Sequence, residues 1–127
     1  MPLTQLNHFT VRTDDLDKTK DFYERVLGMS AGDRPDLGFP GYWLYCGGAP
    51  LVHLVPHENG LGGGDAENTG GFDHVAFTAQ DFDGLRRHFR DMGVAFGENL
   101  RPEIKLNQLF LRDPNNVMIE LNFRVES

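Results

Sequence analysis

Leu6-Asn7-His8-Phe9-Thr10-Val11 and Phe72-Asp73-His74-Val75-Ala76-Phe77 are two versions of one segment. Each is short, rich in apolar and β-branched residues, and carries histidine in its third place, which reads as a strand. The stretch after each segment repeats as well. Beyond a polar turn, Leu16, Thr19, Phe22, Tyr23, Val26 and Leu27 recur at helical spacing, with Thr13 or Asp14 as the cap. In the second copy Phe82, Leu85, His88, Phe89 and Met92 do the same, with Asp81 near the cap. Gly28 and Gly93 stand where each helix should stop.

Three strand-like pieces come after each helix, at residues 29–34, 41–46 and 50–55, and again at 94–99, 106–112 and 117–123. Gly47-Gly48 and Asp113-Pro114-Asn115-Asn116 supply the turn before the last strand of each half. The chain therefore reads as two βαβββ modules, over about residues 3–56 and 72–127, joined by a glycine-rich connector over about 57–71. A module of about 60 residues buries a poor core alone, so the two should share one. The expected fold is α+β, a single domain over 1–127, its modules pairing into a curved, open mixed sheet.

Composition excludes several functions. The 127 residues hold 12 Lys and Arg against 19 Asp and Glu, a formal charge of -7. Nucleic acid and anionic membrane surfaces are both bound through clustered cations, so neither is an expected partner. No apolar run approaches the ~20 residues of a membrane span. Met1-Pro2-Leu3-Thr4 does not open a signal-peptide pattern, and the single cysteine, Cys46, has no partner for an intrachain disulfide. A reducing, cytoplasmic setting is expected.

Five histidines stand out in this acidic chain. When the halves are superposed, His8 falls on His74, and His53 falls on Glu120 in the closing strands Leu51-Val52-His53-Leu54-Val55 and Val117-Met118-Ile119-Glu120-Leu121-Asn122. Side chains alternate along a strand, so His53 points with Leu51 and Val55, and Glu120 with Met118 and Asn122. A carboxylate among such neighbours is costly unless paired or bound to a cation. Each residue alone has a plainer reading. A strand histidine can be a hydrogen-bonded core residue, and Glu120 could pair with Arg112 or Arg124. Repetition at matched places favours a shared site. Two histidines and a carboxylate around one divalent ion, with positions left open for substrate, suit non-haem iron and equally Zn, Ni or Mn. His57 reads as a solvated loop residue, His88 as surface or half-buried, and Cys46 as a small buried hydrophobe.

These motifs, with Asp21-Phe22-Tyr23-Glu24-Arg25-Val26-Leu27-Gly28-Met29 and Leu109-Phe110-Leu111-Arg112-Asp113-Pro114-Asn115-Asn116, resemble the vicinal oxygen chelate superfamily over nearly the whole chain. That superfamily includes glyoxalase I, extradiol dioxygenases, methylmalonyl-CoA epimerase, fosfomycin-resistance enzymes and bleomycin-resistance proteins. The resemblance implies His8, His74 and Glu120 as metal ligands. It also implies a Lewis-acid reaction in which one divalent ion per site chelates neighbouring oxygens of a small substrate.

His53 is the departure. Typical glyoxalase I enzymes carry a carboxylate there, epimerases usually Gln, and extradiol dioxygenases a further active-site His. Dioxygenases usually add another His and a Tyr near the last strands, where this chain has Lys105-Leu106-Asn107-Gln108-Leu109-Phe110. Fosfomycin enzymes carry a basic cluster, for which only Arg101 and Lys105 are candidates. The first expectation is an extradiol-type dioxygenase with Fe(II) favoured, ahead of a glyoxalase-I-like lyase or isomerase. A non-catalytic, bleomycin-resistance-type binder is the third reading. His53 is assigned as catalytic acid-base group or fourth ligand. Gln108, Arg34, Phe39, Tyr42, Trp43 and Tyr45 are assigned to substrate, several of them from the irregular arm over residues 31–42. A homodimer is expected, with the modules pairing within a chain or swapped between two.

Overall fold

A computed structural model of the chain describes residues 5–60 and 74–125. The first module contains β1 (Phe9–Thr13), α1 (Leu16–Arg25), β2 (Ser30–Gly32), β3 (Tyr42–Cys46) and β4 (Ala49–Pro56). The second contains β5 (Val75–Thr78), α2 (Phe82–Asp91), β6 (Gly97–Arg101), β7 (Leu106–Arg112) and β8 (Met118–Arg124). Short 3-10 turns cover His57–Asn59 and Pro102–Ile104. The chain divides into two compact units, Met1–Asn68 and Thr69–Ser127. Most of the glycine-rich connector, and Phe72 and Asp73 of the second repeat, lie outside the described residues. Among the described residues no helix is long and apolar enough to cross a membrane.

Each unit is α+β, with one four-stranded mixed sheet, ordered β1-β4-β3-β2 in the first and β5-β8-β7-β6 in the second. The first strand runs parallel to the last, and the remaining pairs are antiparallel. A parallel neighbour cannot be reached by a tight turn, and here the helix and two strands make the connection.

Period-2 alternation sorts the faces. In the first unit Val11, Leu44, Val52 and Leu54 are buried along with Tyr23 of α1, and α1 lies against β2, β3 and β4. In the second, Leu109, Leu111, Ile119, Leu121 and Phe123 are buried with Phe89 of α2, and the Phe82 ring meets Phe123 edge-on at 5.3 Å. The intervening residues of the same strands form the opposite face, where polar side chains collect.

Helix ends obey local chemistry. Asp15, rather than Thr13 or Asp14, caps α1, its carboxylate accepting from the Lys18 amide at 3.0 Å. Thr13 is unavailable because it ends β1 and its hydroxyl bonds the buried Thr19 hydroxyl at 2.9 Å. Asp81 caps α2, accepting from the Gly84 amide at 3.1 Å. Both helices stop at left-handed glycines, Gly28 at φ 77° and Gly93 at φ 68°. The next amides fold back, Met29 to the Tyr23 carbonyl at 3.0 Å and Val94 to the Phe89 carbonyl at 2.8 Å. That exit turn uses up Val94 to Phe96, so β6 starts at Gly97 instead of residue 94. In the last hairpin, Asp113 accepts from the Asn115 and Val117 amides at 2.7 and 2.9 Å, and Asn116 takes φ 67°.

The repeated strands begin later than their sequence suggests. β1 starts at Phe9, opposite Val52, and Leu6 is 71% exposed. His8 and His74 therefore stand one residue before their strands.

Gly28 and Gly97 separate backbone cost from side-chain space, since an added Cβ meets nothing within 4 Å at either. Only Gly28 has a positive φ. Gly28→Ala should lower stability by about 1–2 kcal/mol, while Gly97→Ala should leave the urea unfolding midpoint unchanged or slightly raised. Equal losses would contradict the assignment of the helix stop to backbone conformation.

Candidate functional site

In the first unit the β1–β4 register sets Thr10 opposite His53, and the β3–β4 register sets Trp43 opposite His53. These side chains share the face turned away from α1. The His53 ring is held between two others, with Trp43 at 4.3 Å and 11° on one side and His8 at 3.8 Å and 9° on the other. Hydrogen bonds set the tautomers. His53 Nε2 lies 3.0 Å from the Pro50 carbonyl, which can only accept, so Nε2 carries the proton and Nδ1 keeps a lone pair. His8 Nδ1 lies 2.6 Å from Asn7 Oδ1, which leaves the lone pair on Nε2. Burial pushes the His53 pKa below the ordinary imidazole value, and the neighbouring His8 and Arg34 charges add to this against the opposing pull of the Pro50 carbonyl.

The arm after β2 frames this stack. The Tyr45 ring lies over Gly32, where a Cβ would come within 2.9 Å of it, and its hydroxyl donates to the Asp33 carbonyl at 2.7 Å. The Arg34 guanidinium sits 5.1 Å from the Phe39 ring centroid and closes on Gly41, whose absent Cβ leaves it room. Its Nε and Nη2 are buried without a hydrogen bond among the described residues. Tyr42 is not on this face. Its hydroxyl donates to Asp17 at 2.5 Å, and Lys20 lies over its ring at 5.3 Å, both residues belonging to α1. Adjacent strand residues point oppositely, so Trp43 and Tyr42 cannot both face the stack.

In the second unit Ala76 is opposite Glu120, and His74 precedes Ala76 by one pleat period on the same face. His74 Nε2 is 3.5 Å from Glu120 Oε1. The Glu120 side chain is 17% exposed and His74 42%, so the carboxylate is the more enclosed partner. Asn122 Nδ2 donates to Glu120 Oε2 at 2.9 Å, Gln108 Nε2 to Asn122 Oδ1 at 2.9 Å, and Asn99 Nδ2 to Gln108 Oε1 at 3.0 Å. Arg112 does not take Glu120, because its Nη1 donates to the Asn116 carbonyl at 3.0 Å. The Gln108 amide is thus engaged at both ends within the sheet. Asn99 and Asn122 carry no role on sequence grounds alone. Asn122 shares Glu120's face by alternation, which was legible, but Asn99 joins only through the β6–β7 register.

His57 is half-buried and opens the 3-10 turn after β4 instead of lying in solvent, and His88 is half-buried on α2. Cys46 is a half-buried free thiol. Taken singly, each unit offers two candidate ligands, His8 with His53 and His74 with Glu120. Among the described residues no three His, Cys, Asp or Glu gather into a metal-binding group. The donor chemistry suits a divalent ion: a neutral imidazole nitrogen with its other nitrogen fixed, and a carboxylate oxygen beside a second imidazole.

The doubled βαβββ architecture is that of the vicinal oxygen chelate fold. The family described as Glyoxalase/Bleomycin resistance protein/Dioxygenase superfamily matches residues 5–121, and the chain belongs to it. It is 33% identical to Glyoxylase I 4 of Arabidopsis thaliana, over 94% of this chain and 70% of that protein. It is 27% identical to the lactoylglutathione lyase of Schizosaccharomyces pombe over 95% of this chain, and spans only 48% of that protein. An antibiotic-binding protein of a Streptomyces species has the same fold at TM-score 0.74, with 24% identity and 98% of each chain covered.

His53 provides a test by titration. With its folded-state pKa below that of the free imidazole, the unfolded chain takes up the proton first. The associated stability is complete above about pH 6.5 and is lost as pH falls through the folded-state value. Proton NMR should place the His53 midpoint below that of free histidine, and His53→Gln should flatten the stability profile below about pH 6.5. A midpoint at or above the free value would contradict the buried, stacked description.

Proposed function

We propose that this chain is a divalent-metal-dependent lyase or isomerase of the glyoxalase I type. The observation that carries the reading is the matched register of Thr10–His53 and Ala76–Glu120, in a chain whose relatives include glyoxalase-type proteins. His8, His74 and Glu120 would hold the ion, and the assignment holds whether they come from one chain or from two copies in a homodimer. When bound, the ion supplies Lewis-acid stabilisation of negative charge on the neighbouring oxygens of a small substrate. His53 is the acid-base group. It is neutral near pH 7, and its Nδ1 is free to take a proton while Nε2 stays anchored to Pro50. Trp43 holds the imidazole flat and limits water on one side. Arg34, Phe39 and Tyr45 frame the substrate, with the guanidinium favouring an anionic group. Tyr42 is left out, because it faces α1.

A second reading, extradiol cleavage of a vicinal diol with Fe(II), rests on His53, an imidazole where glyoxalase I usually has a carboxylate. Metal replacement separates the two. The protein purified without chelator should contain one divalent ion per site, and His74→Ala should lose it. Ni(II)- or Zn(II)-loaded enzyme should turn over the thiol adduct of an α-ketoaldehyde, and His53→Gln should lower kcat by about a hundredfold or more. Oxygen uptake with catechols by the Fe(II) form would favour the second reading instead. Tight ligand binding by a protein with no metal would overturn both in favour of sequestration.

A further inference from the structure

The face of the second sheet carries an ordered row of amides that ends on Glu120. Asn99 stands opposite Gln108, and Gln108 opposite Asn122, in the antiparallel registers. Asn122 and Glu120 are same-face neighbours on β8. All three amides are half-buried. A carboxylate only accepts, whereas a primary amide has one donor end and one acceptor end. Asn122 must therefore turn its NH2 to Glu120, which turns its oxygen to Gln108. Gln108 must then turn its NH2 to Asn122 and its oxygen to Asn99. The observed bonds run in this order, at 2.9, 2.9 and 3.0 Å. Every dipole presents its positive end toward the carboxylate, and aligned hydrogen bonds polarise one another.

We infer that Asn122, Gln108 and Asn99 form a one-way amide relay that fixes the rotamer of Glu120. Oε2 is occupied as acceptor, and Oε1 is turned to His74. These are positioning residues, and their role as support for a metal ligand rests on the function proposed above. The first unit argues that the relay serves Glu120 and not the fold. The place matching Asn122, two residues after His53, is held by Val55, yet that sheet pairs in the same order. Gln108 is accordingly a support of the ligand and not a hand to the substrate.

Two measurements on the full-length protein test this. In metal-free protein, side-chain amide hydrogen exchange by NMR should show Asn122, Gln108 and Asn99 all protected. Glu120→Leu should accelerate all three, including Asn99, which does not touch Glu120. Calorimetry with Ni(II) should show Asn122→Leu weakening binding about tenfold, Gln108→Leu about threefold, and Gln108→Glu at least as much as Gln108→Leu. Glutamate at 108 can still accept from Asn99 but cannot donate to Asn122. Melting curves for the same variants should stay within a few degrees of the parent, which separates positioning from loss of fold. Exchange at Asn99 that ignores Glu120→Leu, or unchanged Ni(II) affinity in Gln108→Glu, would overturn the relay. A parent protein that binds no divalent ion would defeat the proposed function, while the exchange measurement would still decide the relay.

Discussion

The rest of the structure depends on the parallel pairing of the first strand of each module with its last. It brings residues near the two ends of a module onto adjacent strands, with side chains on a common face. The partners across it, Thr10 with His53 and Ala76 with Glu120, sit at the same register in both units. Core and site are consequently one constraint. A slip of one residue would send His53 and Glu120 to the helix side, where Val52, Leu54, Ile119 and Leu121 now lie, and expose those apolar residues. An uncompensated carboxylate there would cost several kcal/mol. The hydrophobic alternation that holds the sheet against its helix therefore also holds the polar residues in register.

Within this shared frame the modules carry different chemistry. The first builds its polar face from flat rings, Trp43, His53 and His8 in one stack, with hydrogen bonds that leave one free nitrogen on each imidazole. Burial, with the His8 and Arg34 charges adding to it, depresses the His53 pKa, so this surface favours a neutral imidazole. The second builds its face from a carboxylate backed by amides, which favours negative charge in a fixed orientation. On the proposed function, the first face would supply the acid-base group and one ligand, and the second face two ligands. The register is common to both units, and different side chains at matched positions set the two faces apart.

The repeat made most of the fold legible. Helical and strand periods, Gly28 and Gly93, and the Asp113 turn are local signals, and local physics realises them. Strand limits were less legible because partners set them. β1 waits for β4, and β6 waits for the exit turn of α2. The same distinction applies to the site. His8, His74, His53 and Glu120 could be picked out because they repeat. Asn99 could not, since its connection to Glu120 passes through two strand registers that no single segment encodes. Tyr42 is the opposite case: an aromatic beside Trp43 looks like part of one surface until strand alternation assigns it to α1. The reaction was least legible, because one fold supports lyases, oxygenases and binders, and the choice rests on few side chains.

His53 is where that choice has physical content. On the proposed ligand set, two neutral imidazoles and one carboxylate leave a divalent ion with a net charge of +1. A carboxylate at position 53, as the resemblance to glyoxalase I would have it, would bring the ligand sphere to neutrality and offer an anionic base. Imidazole changes both terms at once. It leaves more positive charge to attract and polarise substrate oxygens. It also supplies a base that begins neutral and becomes cationic on taking a proton. Burial disfavours the protonated state, so in the proposed role His53 would readily return a proton to a nearby acceptor. Proton return suits an isomerase-like step, in which the same group removes and delivers a proton. On the proposed function, the stack that looks like plain aromatic packing is thus the feature that would reconcile an imidazole at this position with glyoxalase-type chemistry.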